Sequence, residues 1–171
     1  TQRRSPHRVH ISAVRRIRIV FFFFNDTATT EIYTLSLHDA LPIYLPEDKV
    51  LFTGDVAFHY LTPLARDGHI SNWIKVANGI LNHLDATTLI PGHGPVSGKE
   101  VVSATLKYLR LVKRTSRSHF QRGASVEDTS RAVPLGEYAD WVEPERVMVN
   151  VQRLYQEFRG ELPKARAMSF G

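Results

Sequence analysis

Two short motifs carry side chains able to do chemistry: Gly54-Asp55, and Pro91-Gly92-His93-Gly94 some forty residues later. A carboxylate can bridge two divalent ions through its two oxygens, and a neutral imidazole completes the shell of one ion. Both donors suit zinc or a similar metal. Either motif alone has an ordinary explanation, because Gly-Asp ends many strands and a histidine in a turn is usually solvated. Taken together they favour metal ligation by Asp55 and His93. The chain has no cysteine, so it has neither a disulfide frame nor a thiolate ligand, and any metal must be held by His and carboxylate. Gly54, Gly92 and Gly94 would let the backbone approach such a cluster closely.

The elements that must position these residues follow from hydrophobic pattern. Val50-Leu51-Phe52-Thr53 reads as a buried strand halted by Gly54-Asp55, which places Asp55 at its carboxyl end. Ser71 can cap a helix whose Trp73, Ile74, Ala77, Ile80, Leu81 and Leu84 fall on one face. Thr87-Thr88-Leu89-Ile90 reads as a second buried strand stopped by Pro91, with His93 displayed beyond it. Ser97-Gly98-Lys99-Glu100 has the capping-box pattern and opens a helix to about Arg114, packing through Val101, Val102, Tyr108, Leu109 and Val112. Strands alternating with amphipathic helices predict an α/β layer architecture with functional side chains at the strand ends. Past about residue 120 the chain reads as a helical extension. Ser125 and Asp128 form a cap, and a last helix from Pro144 to about Arg159 uses Val147, Met148, Val151, Leu154, Tyr155 and Phe158 as a core stripe. Residues 163–171 read as a frayed tail.

The remaining candidates are weaker. His59, between Phe58 and Tyr60, either lines a substrate pocket or is a loop histidine packed between aromatics. His69 reads as a turn residue and His83 as the polar side of its helix. Arg66-Asp67 is an exposed pair or a specificity contact, with nothing in the sequence to decide. The basic stretch 107–122 reads as a solvated helix face rather than a phosphate-binding surface.

Residues 25–43 match, at all 19 positions, an in-frame translation of a short-read sequencing-library adapter, with Phe21–Phe24 as a translated T-tract. Residues 1–43 are therefore read as a non-native segment carrying no functional evidence, and Tyr44 as the start of the genuine part. His38 is rejected as a ligand on this ground. The division matters for charge. Lys plus Arg is 22 and Asp plus Glu 17, but residues 1–43 hold six Arg against three acids, so 44–171 carries 16 against 14. A net +5 becomes +2, which removes the case for nucleic acid as a partner and for reading the basic opening as a transit peptide. No apolar run approaches the roughly 20 residues that span a membrane, so neither membrane nor nucleic acid is expected and a small-molecule substrate is.

From Val50-Leu51-Phe52-Thr53-Gly54-Asp55-Val56-Ala57-Phe58-His59 through Asn72-Trp73-Ile74 to Thr88-Leu89-Ile90-Pro91-Gly92-His93-Gly94-Pro95-Val96, the chain resembles the later half of the metallo-β-lactamase-fold hydrolases. The resemblance covers about 44–121. Phe58-His59-Tyr60, Thr62-Pro63 and Ser71-Asn72-Trp73-Ile74 look most like the branch with quinoprotein-relay-associated and sulfur-oxidation-type metallohydrolases. It implies an αββα sandwich, here its second half followed by the 122–171 helical extension. It also implies a dinuclear centre, zinc by preference with iron or manganese as alternatives, in which Asp55 bridges the metals and His93 is the last histidine ligand of the second. Asp55 would then be catalytic as well as a ligand, with metal-activated water attacking an acyl, ester or phosphoester centre. The family's His-x-His-x-Asp-His motif, and a further His before the Gly-Asp strand, have no counterpart here. Those elements are expected upstream of Tyr44 in an intact parent, and the chain as it stands is expected to be an inactive fragment. Two other readings compete. One is a metal-free scaffold using the 107–122 and 144–159 helices for a partner; the other is an iron-dependent dioxygenase or a thioesterase on the same fold.

Overall fold

In the computed structural model of the protein, the described residues are 42–162 together with the backbone of Val20–Phe21. Most of the adapter-like segment and the expected 163–171 tail lie outside them. The sheet runs β1 (Val20–Phe21), β2 (Ile43–Leu45), β3 (Val50–Phe58) and β4 (Thr88–His93), in that spatial order. β2 pairs antiparallel with both β1 and β3, and β3 pairs parallel with β4. Ile43 itself belongs to β2, opposite Phe52. Strand pairing uses backbone groups alone, so the β1 pairing carries no information about the origin of that segment.

Register explains the two faces. Tyr44, Leu51 and Leu89 lie in one row across β2, β3 and β4, all buried. The next row, Ile43, Phe52 and Ile90, points the other way, and Phe52 is 39% exposed. On the buried face pack α1 (Ile70–His83) and α2 (Glu100–Gln121). The expected face of α1 is confirmed at Trp73, Ala77 and Ile80, while Ile74, Leu81 and Leu84 are partly buried and Ile70 and Val76 complete the core. The indole N–H of Trp73 donates to Val56 O at 2.8 Å and fastens α1 to β3.

Several boundaries differ from the sequence expectation, each for a local reason. β3 does not end at Gly54-Asp55. Gly54 sits at φ +50° within a register shift, so the strand bulges and then resumes through buried Val56, Ala57 and Phe58. Asp55 is therefore within a strand, re-aimed by the bulge. β4 likewise continues through Pro91 to His93, because parallel pairing with β3 continues past the proline. α2 runs beyond Arg114 to Gln121, since nothing in 113–121 breaks a helix until Gly123, at φ +72°, ends it. Its extra turns put Arg117 3.7 Å over the Phe158 ring and Phe120 against Tyr155. α1 is not capped by Ser71; the chain turns helical at Ile70 and a distant carboxylate, Glu157, takes the cap's place.

α3 (Val126–Ala132) is capped by Ser125, whose hydroxyl accepts from Asp128 N–H at 3.0 Å, as its sequence predicts. After two 3-10 turns, α4 (Val147–Arg159) returns across the molecule. Val147, Val151, Leu154 and Tyr155 join the same core cluster as Leu51 and Leu89. Met148, expected on that stripe, is 50% exposed instead, because the buried face is centred on Val151 and Leu154.

Candidate metal centre

Asp55 and His93 meet at the edge where β3 and β4 run parallel. His93 Nε2 lies 3.4 Å from Asp55 Oδ1, and both side chains are about half exposed. The approach depends on Gly92: a Cβ there would stand 2.4 Å from Asp55 Oδ1 and 2.8 Å from the Gly54 carbonyl carbon. Gly94, at φ +97°, makes a second close crossing, where a Cβ would lie 2.2 Å from His59 O. The third expected glycine, Gly54, supplies the bulge beside Asp55.

The strand ends are pinned from behind. Thr105 of α2 accepts the Phe58 N–H at 3.0 Å and has Phe58 O within 3.1 Å. The Phe58 ring in turn stacks on His93, centroids 5.0 Å apart and planes at 21°. At the start of α2, Glu100 accepts from the Ser97 hydroxyl and from Gly98 N–H at 2.7 Å, which holds the turn after His93. Those hydrogen bonds, Ser97 foremost, depress the Glu100 carboxyl from its ordinary 4.5 to about 2.

His59 is brought near this edge but makes different contacts. Its N–H donates to His93 O at 3.0 Å, its ring stacks on Tyr60 at 4.1 Å, and Nδ1 lies 3.4 Å from Pro95 O. The cleft beside Asp55 and His93, about 260 Å³, is lined by Phe58, Leu64, Arg66, Asp67 and Arg146 as well. His59 is not in that lining. Arg66 and Arg146 are residues the sequence did not single out as belonging beside Asp55; Arg146 comes from the helical extension, and no spacing in the sequence joins it to the sheet edge. His69 stands at the N-terminus of α1, 3.4 Å from Glu157, and His83 is exposed at the end of α1.

The loop that brings Leu64, Arg66 and Asp67 to the cleft is held by a polar stripe along the C-terminal helical region. Arg146 Nη1 donates to Thr62 O at 3.0 Å. Asn150, fully buried, accepts from Ala65 N–H at 2.9 Å and donates to Pro63 O at 2.8 Å and to the Tyr108 hydroxyl at 2.9 Å. Arg153 donates to Gly68 O at 2.6 Å and to Asp67 O at 2.9 Å. Glu157 accepts from Ile70 N–H and, at 2.6 Å, from the Ser71 hydroxyl, filling the cap position of α1. Spacings of four, three and four residues keep these side chains on one helical face. Burial pushes the Tyr108 phenol up, and Asn150 is its hydrogen-bond partner.

The donor pair can be tested against a metal. Two ligands at roughly 2.1 Å from a tetrahedral ion stand about 3.4 Å apart, which matches the Asp55–His93 contact. A zinc centre needs three or more protein ligands. Among the described residues no group of three His, Cys, Asp or Glu side chains converges, so these residues fit half of a centre and do not complete one.

No family model matches the chain, and no curated protein matches it. Among solved structures, a double mutant of the sec-alkyl sulfatase PisA1 matches at a TM-score of 0.56 and 20% identity, covering 70% of this chain and 22% of that one. The metallo-beta-lactamase from Pontibacter korlensis matches at 25% identity and a TM-score of 0.39, over 42% of this chain and 35% of its own. DIM-1 metallo-beta-lactamase gives 25% identity and 0.38 over 42% and 36%. The chain spans about a third of the length of these two lactamases. The sulfatase match speaks to fold alone, and with the parallel β3–β4 pair backed by α1 and α2 it shows that the chain carries part of the mixed α/β fold found in that protein.

Proposed function

We propose that Asp55 and His93 are two ligands of a dinuclear, zinc-preferring centre in a metal-dependent hydrolase, and that the remaining ligands belong to residues outside 42–162. One observation carries this reading: a carboxylate and an imidazole at metal-ligand separation, 3.4 Å, on adjacent parallel strands whose approach requires Gly92. Asp55 is the bridging ligand and His93 a terminal one. The sulfatase that matches in fold is a hydrolase by its own name, which supports that class. In this reading His59, stacked on Tyr60 beyond the cleft lining, contacts only the part of a substrate that extends past the cleft. The described residues, with two donors, do not complete a working centre, and no hydrolysis is expected from them alone.

Zinc titration of the purified chain by calorimetry tests the assignment. Weak binding is expected, reduced at least tenfold in Asp55→Ala and in His93→Ala and abolished in the double variant. Unchanged zinc affinity in either single variant would remove that residue from the centre.

A further inference from the structure

Phe58 is the last residue of β3, and the strand ladder alone does not hold it. Between the pairs Gly54↔Pro91 and Phe58↔His93, β3 advances four residues while β4 advances two, so regular pairing is interrupted just before the stacked rings. A hydroxyl from another layer takes over. Thr105, fully buried in α2, accepts the Phe58 N–H at 3.0 Å and has one proton for two acceptors, Phe58 O at 3.1 Å and Val101 O at 3.0 Å. The Val101 contact, one helical turn back, sets the Thr105 rotamer on its own helix. The Phe58 ring is wedged between Trp73 of α1, centroids 5.9 Å apart, and His93. One face of the His93 imidazole is thus covered by a ring that α1, α2 and β3 hold in place, while its Nε2 is turned to Asp55.

We propose that Thr105 is a positioning residue for His93: through the Phe58 backbone it places the aromatic ring that sets the plane of the imidazole, and so the direction in which Nε2 is presented. The consequence for zinc rests on the metal-site reading; the orientation of the ring does not. Metal-ligating imidazoles are held in one orientation by their outer contacts, and here that contact is a stacked ring. An imidazole rotated off the Phe58 plane carries Nε2 away from Asp55. Valine has the shape of threonine without the hydroxyl, so Thr105→Val strands the buried Phe58 N–H and frees the strand end. Thr105→Ser keeps the hydroxyl and should keep the arrangement.

NMR of the full chain with labelled histidine tests this, the His93 ring signals being assigned by their absence in His93→Ala. Protons stacked over an aromatic face are shifted upfield, so the His93 ring signals should move downfield in Thr105→Val and stay in place in Thr105→Ser. His83 and His119, in the last turns of α1 and α2, should not move, whereas a general loosening of the helices would shift them as well. Zinc titration of the same samples should show affinity lowered about tenfold in Thr105→Val and in Phe58→Leu, with Thr105→Ser within about threefold of wild type. Thr105→Ala, which also removes the hydroxyl, repeats both readouts should Thr105→Val not fold. Unchanged His93 signals in a folded variant without the hydroxyl overturn the proposal, as do signals in Thr105→Ser displaced as far as in Thr105→Val. Zinc affinity unchanged in both Thr105→Val and Phe58→Leu overturns the link from ring orientation to ligation. A wild-type chain that takes up no zinc sinks the Asp55–His93 reading alone, because the His93 signals decide the orientation by themselves.

Discussion

A methyl group added at Gly92 and one added at Gly94 meet different obstacles. At Gly92 the nearest atom belongs to the rotatable Asp55 side chain, with the Gly54 backbone close behind. Gly92→Ala should therefore cost about 1–3 kcal/mol and displace Asp55, so that zinc affinity falls with stability. At Gly94 the obstacle is the His59 carbonyl, and φ is +97° as well, so Gly94→Ala should cost more, about 2–4 kcal/mol, in urea denaturation. Glu100 gives a pH signature. Its folded pKa of about 2 lies below the ordinary 4.5, so its contribution is present above pH 4.5 and is lost as pH falls toward 2. The difference in melting temperature between wild type and Glu100→Gln should be full at pH 6, shrink below 4.5 and vanish near 2. A constant difference across that range would show that the Ser97 and Gly98 hydrogen bonds contribute nothing specific to the ionised form.

Among the elements, the C-terminal helix matters most to the site and was the least legible in that role. Its existence and apolar stripe could be read from the spacing of Val147, Val151 and Leu154, as could the faces of α1 and α2, since helical periodicity is local information. The Asp55–His93 pairing was legible too, because two strand-end motifs in a parallel α/β order must come side by side. Its setting was not. Asn150, Arg153 and Glu157 look like the solvated side of an amphipathic helix, and only the fold shows that their partners are backbone groups of 63–71. The cap of α1 was misplaced on Ser71 for the same reason: a carboxylate 86 residues away competes with the local hydroxyl. Asn150→Leu should be among the most damaging single changes outside the core proper. It strands a buried amide, a carbonyl and the Tyr108 hydroxyl, and should cost about 2–5 kcal/mol in urea denaturation. Glu157→Ala, which removes a buried cap, should cost about 1–2 kcal/mol.

For the molecule as a whole, the unequal faces of the sheet decide behaviour in solution. The face bearing Tyr44, Leu51 and Leu89 is closed by helices, whereas the row through Ile43, Phe52 and Ile90 is only partly covered. In an αββα sandwich that second face meets another sheet. The chain should therefore bind hydrophobic dyes and self-associate, and a monodisperse monomer that binds no dye would contradict this. Resequencing the source DNA across the codons for Phe21–Tyr44 addresses the parent: an in-frame His-x-His-x-Asp-His is expected there, and persistence of the 25–43 codons would undo the fragment reading. The polar stripe from Arg146 to Glu157 has a consequence in time. Its hydrogen bonds reach back 84 to 87 residues, so the loop holding Arg66 leaves the ribosome well before the side chains that order it. At ordinary synthesis rates that interval is about 4–17 s, during which the cleft has no floor. The cleft loop should therefore be ordered only once the stripe has emerged, and a ribosome stalled before Glu157 should display no organised cleft.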